Sequence, residues 1–214
     1  RNQYIDPTGI NYLNSLVPSI GYPTSDNMLV AGLNGNVLTP AIPIGRLAAK
    51  NNTEVNTYLN KVNEYEHPLP DPDEWMKHVI HMGGGSIPDQ QTLFSGFLRG
   101  YEKIIEDTSF GGFVHHFSKN SSSATQISYT DSISGIINSG ASIITFFGHT
   151  SASVFDFNLL PPEQYDNTNG KYPFFIANGC VAGDIHQPAK GGIGVSSSEI
   201  YTLSNQGMIC FLAS

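Results

Sequence analysis

Charged side chains are scarce in this chain of 214 residues. Asp, Glu, Lys and Arg together make up 13% of the sequence, about half the share that is usual in soluble domains. The ten Lys and Arg residues are scattered, and the formal net charge is −8. Because nucleic-acid binding needs a clustered basic face, the sequence argues against nucleic acid as a partner.

Cysteines and long apolar runs are also lacking. The two cysteines, Cys180 and Cys210, are too few for a disulfide framework or a cysteine-based zinc site. No apolar run approaches the roughly 20 residues that a membrane-spanning helix needs, so we expect no membrane span. The chain begins at Arg1 without a signal peptide and stops at Ser214, directly after a predicted core strand. We therefore expect it to be a piece of a longer polypeptide with further C-terminal domains.

Short apolar runs alternate with amphipathic helical segments along most of the chain. This alternation predicts an α/β fold, a mostly parallel sheet flanked by helices on both faces. A proline-rich stretch at 67–75 divides a smaller subdomain (1–68) from a larger one (75–214). Strands are predicted at 28–31, 79–82, 113–117, 143–147, 174–177 and 208–212, and helices at 53–65, 88–106, 130–138 and 197–204.

Two of the predicted strands run directly into loops with reactive side chains. One loop carries Gly148 and His149, and the other carries Gly179 and Cys180. Loops at the carboxyl ends of parallel strands meet at one edge of the sheet, so neighbouring strands would bring the two side chains together. An imidazole can take the proton of a thiol, and the glycines let backbone N–H groups approach an oxyanion. The pair predicts a thiol nucleophile and a general base, and two ordinary loops are the alternative.

Five segments in a fixed order extend this interpretation: PTSDNMLV (23–30), IPIGRLAAKNNTEVNTYLNKVNEYE (42–66), FFGHTS (146–151), IANGCVAGD (176–184) and SSSEIYTLSNQGMICFLAS (196–214). Together they resemble the gingipain family of clan CD cysteine peptidases. The resemblance implies a caspase-like fold, with Cys180 as the nucleophile and His149 as the catalytic histidine. It implies a secreted or bacterial cell-surface endopeptidase that acts on protein or peptide substrates. A gingipain-like sortase of type IX secretion, or a weakly catalytic surface module for binding or assembly, is the alternative.

The resemblance also suggests roles for residues around the pair. Gingipains orient the histidine with an acid, and Asp89 is the nearest acid after the glycines that follow an earlier strand. The N–H groups of Gly148 and Cys180 are the expected oxyanion donors. Thr150 stands where the family usually has a second glycine after the histidine. Thr150, Gly179 and Asp184 are assigned to substrate binding.

No cofactor is expected to be required, although the resemblance suggests calcium as a structural ion near Asp26 and Glu66. The other histidines predict no metal site, because His115 and His116 are adjacent on a strand and point to opposite faces. Cys210 lies within a predicted strand and is expected in the core. If the chain were instead an unrelated α/β binding domain, Cys180 and His149 would lie more than about 10 Å apart, too far for proton transfer.

Overall fold

The computed structural model describes residues 25–67, 73–185 and 195–214. The chain divides into two compact units between Ala48 and Ala49. In the first unit a 3-10 helix spans Asp26–Leu29, where the sequence predicts a strand from residue 28. The Asp26 carboxylate in this unit is bound by the guanidinium of Arg46, with an N–O distance of 2.5 Å. Residues 1–24 of the predicted first subdomain lie outside the described residues.

A five-stranded sheet forms the centre of the second unit. All its pairings are parallel, and the spatial order is β2-β1-β3-β4-β5. The strands are β1 (His78–Gly83), β2 (Phe113–Ser118), β3 (Ile143–Phe147), β4 (Phe174–Asn178) and β5 (Cys210–Ala213). Short apolar runs dominate the central strands because both faces of the sheet are covered.

In the described ranges, four α-helices accompany the sheet: α1 (Asn52–Glu66), α2 (Pro88–Ile105), α3 (Thr130–Ser139) and α4 (Ser197–Leu203). Helix α2 packs across β1, β2 and β3 on one face. On the other face, Ile133 and Ile137 of α3 and Tyr201 of α4 join the main apolar core. The predicted α/β fold, with a parallel sheet and helices on both faces, is therefore confirmed.

Helix α1 belongs to the same compact unit as the sheet, whereas the sequence grouped it with the first subdomain. Its Lys61 is 2% exposed and donates hydrogen bonds to the carbonyl oxygens of Tyr201 and Met208, at 3.3 and 2.6 Å. These contacts between distant residues explain why α1 belongs to the unit that contains the sheet. Sequence spacing shows that α1 has an apolar face, but it does not show what that face covers. The predicted boundary at residue 68 stays a prediction.

Cys210 is not in the core. It begins β5, which lies at one edge of the described sheet, and its side chain is exposed. The apolar run around Cys210 suggested a strand buried on both faces, but an edge strand exposes alternate side chains. This prediction was wrong.

Candidate active site

The sheet register places His149 and Cys180 at matching positions in the loops that follow two neighbouring strands. Strands β3 and β4 pair in parallel, and Phe147 is the register partner of Asn178. Each reactive residue follows its strand by two positions, and adjacent strands lie roughly 4.8 Å apart. The predicted neighbouring of the two strands is confirmed, and both side chains are exposed at the same edge.

The backbone of the histidine loop is held by a buried carboxylate. Asp156 is 3% exposed, and its Oδ2 accepts hydrogen bonds from the N–H groups of His149 at 2.7 Å and Gly85 at 2.8 Å. The N–H of Asp156 donates in return to the carbonyl oxygen of His149, at 3.2 Å. Asp156 thus fixes the histidine loop to the loop that follows β1.

A buried lysine neutralises this carboxylate. The Nζ of Lys119 lies 2.9 Å from Oδ1 of Asp156, and their side chains are 1% and 4% exposed. Lys119 directly follows β2, and its N–H donates to the carbonyl oxygen of Gly83 at 2.8 Å. The ion pair therefore joins the ends of β1, β2 and β3 beneath the site.

Two glycines make room for Asp156. A Cβ atom at Gly148 would lie 2.6 Å from its Oδ2, and one at Gly84 would lie closer still. Any larger residue at either position would push the carboxylate away from the N–H groups that it binds. Gly84 and Gly148 therefore leave the space beneath the loops in which the carboxylate of Asp156 lies.

The imidazole of His149 contacts Gln90, the neighbour of the predicted orienting acid. Its Nε2 lies 3.0 Å from Oε1 of Gln90, which also accepts a hydrogen bond from the N–H of Ser86 at 3.0 Å. Since the Ser86 N–H can only donate, the amide oxygen faces both groups, and His149 must donate from Nε2. This leaves the Nδ1 lone pair of a neutral imidazole free to accept a proton. Asp89 is exposed, and its orienting role stays a prediction.

The cysteine loop is held by hydrogen bonds at the protein surface. The hydroxyl of Thr150 donates to the carbonyl oxygen of Cys180, and that of Ser214 donates to the carbonyl oxygen of Gly179 at 2.6 Å. The methyl group of Thr150 would lie 2.8 Å from a Cβ atom at Gly179, so only glycine fits there without movement. Thr150 and Gly179 therefore pack closely against each other. The substrate-binding role assigned to both from the sequence stays a prediction.

Val181, directly after the cysteine, has a left-handed backbone. Its φ is 53°, a conformation that is costly for a β-branched residue. The turn is closed by a hydrogen bond from the N–H of Asp184 to the carbonyl oxygen of Val181, at 3.2 Å. The partly exposed Asp184 thus lies within the cysteine loop, and its substrate-binding role stays a prediction.

The N–H group of Gly148 is already engaged. It donates to the carbonyl oxygen of Asn178 at 3.2 Å, as a continuation of the β3–β4 pairing. The N–H of His149 donates to Asp156, as described above. Within the described part of the chain, the N–H groups of Thr150 and Cys180 have no backbone acceptor. The N–H of Gly148 is thus engaged, whereas those of Thr150 and Cys180 have no such acceptor among the described residues, and the oxyanion roles assigned to Gly148 and Cys180 stay predictions.

The calcium prediction concerns one residue in each compact unit. Asp26 binds Arg46 in the first unit, and Glu66 is exposed at the end of α1. Neither observation tests calcium binding, which stays a prediction. Of the helices in the described ranges, none is long and apolar enough to cross a bilayer.

Comparisons with known proteins agree with this geometry. The sequence model of peptidase family C25 matches residues 3–214, and the chain belongs to that family. The resemblance to the gingipains is thereby confirmed at the level of the family. No curated protein gives a significant match.

Solved structures give the same fold. The crystal structure of the Arg-specific cysteine proteinase gingipain R is 18% identical, with a TM-score of 0.66 over 92% of this chain and 46% of that chain. The complex of the pro- and mature domains of RgpB from Porphyromonas gingivalis is 17% identical, with a TM-score of 0.66 over 92% of this chain and 47% of that chain. A further structure, described as a protease, is 23% identical, with a TM-score of 0.53 over 76% of this chain and 34% of that chain. The present chain thus spans less than half the length of these structures.

The buried carboxylate was missed by sequence reasoning. Its signal is the segment Phe155–Asp156–Phe157, in which one acid stands between two aromatic residues that are 4% and 1% exposed. An acid within such an apolar run needs a buried partner, because an unpaired buried charge is costly. The sequence does not show that the partner is Lys119, 37 residues away.

Proposed function

We propose that this chain carries the catalytic centre of a secreted or cell-surface cysteine endopeptidase. The register of β3 and β4 is the observation that supports the proposal best, because it aligns His149 with Cys180 at one sheet edge. Membership of peptidase family C25 supports the same reaction class. The substrate is a protein or peptide.

In the proposed mechanism the Cys180 sulfur attacks the scissile carbonyl carbon while its proton passes to Nδ1 of His149. The N–H groups of Cys180 and Thr150 donate to the oxyanion that forms. When the intermediate collapses, the carbon–nitrogen bond breaks and His149 returns the proton to the leaving amine. Water then hydrolyses the acyl-enzyme and regenerates the thiol.

Gln90 has a positioning role in this scheme. Its amide oxygen holds the Nε2 proton of His149 and so selects the tautomer whose Nδ1 is free. An amide carries no charge, so it orients the imidazolium without the electrostatic stabilisation that a carboxylate would add. The proposed centre is thus a dyad with a neutral orienting group.

Cleavage of a fluorogenic peptide library by the full-length protein tests the proposal. We expect cleavage by the native protein and by a Cys210→Ala variant, but not by Cys180→Ala. Cys210→Ala is the matched control, since it removes the second exposed thiol of the described residues. Equal cleavage by Cys180→Ala and the native protein would refute the assignment.

An added amine acceptor separates hydrolysis from transpeptidation. Hydrolysed product in the presence of the acceptor supports the endopeptidase. Transfer of the acyl group to the acceptor instead identifies a sortase-like reaction, which uses the same Cys180 acyl-enzyme. Absence of both products leaves a surface module for binding or assembly and contradicts the peptidase.

A further inference from the structure

Three potential metal ligands converge on the face of the sheet that α2 covers. His81 of β1 and His116 of β2 are register partners, so their side chains leave the sheet on the same face. Helix α2 brings Glu102 to them, with Oε2 3.1 Å from Nδ1 of His116. One donor atom from each of the three residues lies within 4.8 Å of the other two.

The ring nitrogens that face the centre of this cluster are poorly satisfied. His81 is fully buried, and neither of its ring nitrogens makes a hydrogen bond of normal geometry among the described residues, although the backbone of Leu98 lies near the ring. Nδ1 of His116 is also buried and makes no hydrogen bond of normal geometry there, although it lies 3.1 Å from Oε2 of Glu102. Buried polar atoms are almost always satisfied, so these nitrogens point to a missing partner between them.

The second ring nitrogen of His116 is held from outside the cluster. Nε2 lies 2.9 Å from the hydroxyl oxygen of Ser95 and 3.1 Å from that of Ser118. If Nε2–H donates to these oxygens, Nδ1 presents its lone pair to the carboxylate of Glu102. Metal-bound histidines are commonly held in this way through their other nitrogen.

The donor atoms of the cluster suit a cation. A neutral imidazole offers one lone pair, and the carboxylate of Glu102 offers an anionic oxygen. Nη1 of Arg99 donates to both oxygens of Glu102, to Oε1 at 2.7 Å and to Oε2 at 2.8 Å, so a guanidinium already shares the oxygen that faces His116.

We propose that His81, Glu102 and His116 bind one divalent transition-metal ion of the zinc type. Two imidazoles and a carboxylate are a common donor set for zinc, whereas calcium takes oxygen ligands. Donors about 2.0–2.1 Å from a tetrahedral ion lie roughly 3.3 Å apart, close to the observed nitrogen–oxygen distance. The ion would join α2 to β1 and β2.

The site stands apart from the proposed catalytic pair and does not depend on its function. Helix α2 nevertheless links the two, since it begins near Gln90, the residue that contacts His149. An ion that fixes α2 to the sheet would therefore stabilise the helix that orients the histidine. Strand alternation correctly separates His115 from His116, but the second imidazole comes from the neighbouring strand.

Zinc titration by calorimetry, with the zinc ion alone as ligand, tests the proposal. The protein carries Cys180→Ala, so that Cys180 and His149 do not form a competing zinc site. We expect one ion per chain and a thermal midpoint that rises with zinc. His116→Gln and Glu102→Gln should each weaken binding by at least about 100-fold. His115→Gln, one residue away on the opposite face, is the matched control and should bind normally.

Arg99→Gln sharpens the test. Removing the guanidinium that competes for Glu102 should tighten zinc binding several-fold. If Arg99 only stabilised the fold, its loss would not tighten zinc binding. If His116→Gln fails to fold, Glu102→Gln still tests the proposal, because Glu102 is partly exposed and its replacement disturbs the fold less. Absence of stoichiometric zinc binding would overturn the proposal, as would equal zinc affinity in Glu102→Gln and its parent.

Discussion

The two ends of the sheet each have a buried lysine nearby, but the lysines have different partners. At the carboxyl ends of the strands, where the candidate site lies, Lys119 pairs with the carboxylate of Asp156. Near the amino ends of β4 and β5, Lys61 lies under the segment from α4 to β5, and its Nζ donates only to backbone carbonyls of the described residues. Those carbonyls belong to Tyr201, Thr202, Gln206 and Met208.

The difference shows two ways of burying an ammonium group. Lys119 and Asp156 neutralise each other, and the carboxylate keeps a second oxygen for the N–H of His149. Lys61 satisfies its N–H groups with the partial charges at the end of a helix and the ring of Tyr172, 5.1 Å away. Burial lowers the pKa of Lys61 to about 7, so its charge is marginal near neutral pH. The carboxyl ends of the strands are therefore anchored by charge, and the amino ends of β4 and β5 by hydrogen bonds.

Removal of the carboxylate should have the largest effect. Asp156→Ala leaves Lys119 charged and buried without its partner, and breaking such a pair costs about 3–5 kcal/mol. The His149 backbone also loses its acceptor, so cleavage activity should fall. Urea unfolding measures the free energy, and Asp166→Asn, at an exposed acid, should change it by less than about 0.5 kcal/mol.

A double variant isolates the pair itself. Asp156→Leu combined with Lys119→Met removes both charges, so it should be less destabilised than either single variant. Additive losses in the double variant would mean that the two side chains are not coupled, against the ion pair in the structure.

Protonation of Lys61 should make stability depend on pH. An unfolded lysine keeps its proton up to about pH 10.5, whereas folded Lys61 releases it near 7. Unfolding therefore takes up a proton between these values, and the free energy of unfolding should rise with pH there and fall as pH drops towards 7. From pH 7 to 9.5 we expect a gain of about 2–3 kcal/mol from this group, measured by urea unfolding.

Lys61→Met should flatten this rise, since it removes the titrating group. Lys103→Met, at an exposed lysine of α2, is the matched control and should keep it. An unchanged pH slope in Lys61→Met would show that Lys61 stays charged in the folded protein.

The strand–helix order and the pairing of the two reactive loops could be predicted from the sequence because they depend on local patterns. The runs at 143–147 and 174–177 are largely apolar, and the loops that carry His149 and Cys180 follow them directly. The ion pair of Asp156 with Lys119 depends on tertiary contacts between separate loops, which no local pattern encodes. The choice of Gln90 over Asp89 at the imidazole depends on which side of the first turn of α2 faces the site.

The smallest effect should come from the strained turn in the cysteine loop. Val181→Gly removes the backbone strain of the left-handed conformation, which costs about 1–3 kcal/mol. It also increases the conformational entropy of the unfolded chain, which offsets part of this gain. We expect a net gain in stability of about 1 kcal/mol by thermal unfolding. Val154→Gly, at an exposed valine without positive φ, should instead lose stability. A loss in Val181→Gly as large as in Val154→Gly would contradict the strain at this turn.

The pairing of His149 with Cys180 is tested most directly by the rate of thiol alkylation. Cys210 provides an internal reference, because burial raises the pKa of its thiol although the side chain is exposed overall. Iodoacetamide at pH 6.5 should modify Cys180 at least about tenfold faster than Cys210, and His149→Ala should remove most of that difference. Equal rates at the two cysteines, or a Cys180 rate that is unchanged in His149→Ala, would contradict the dyad.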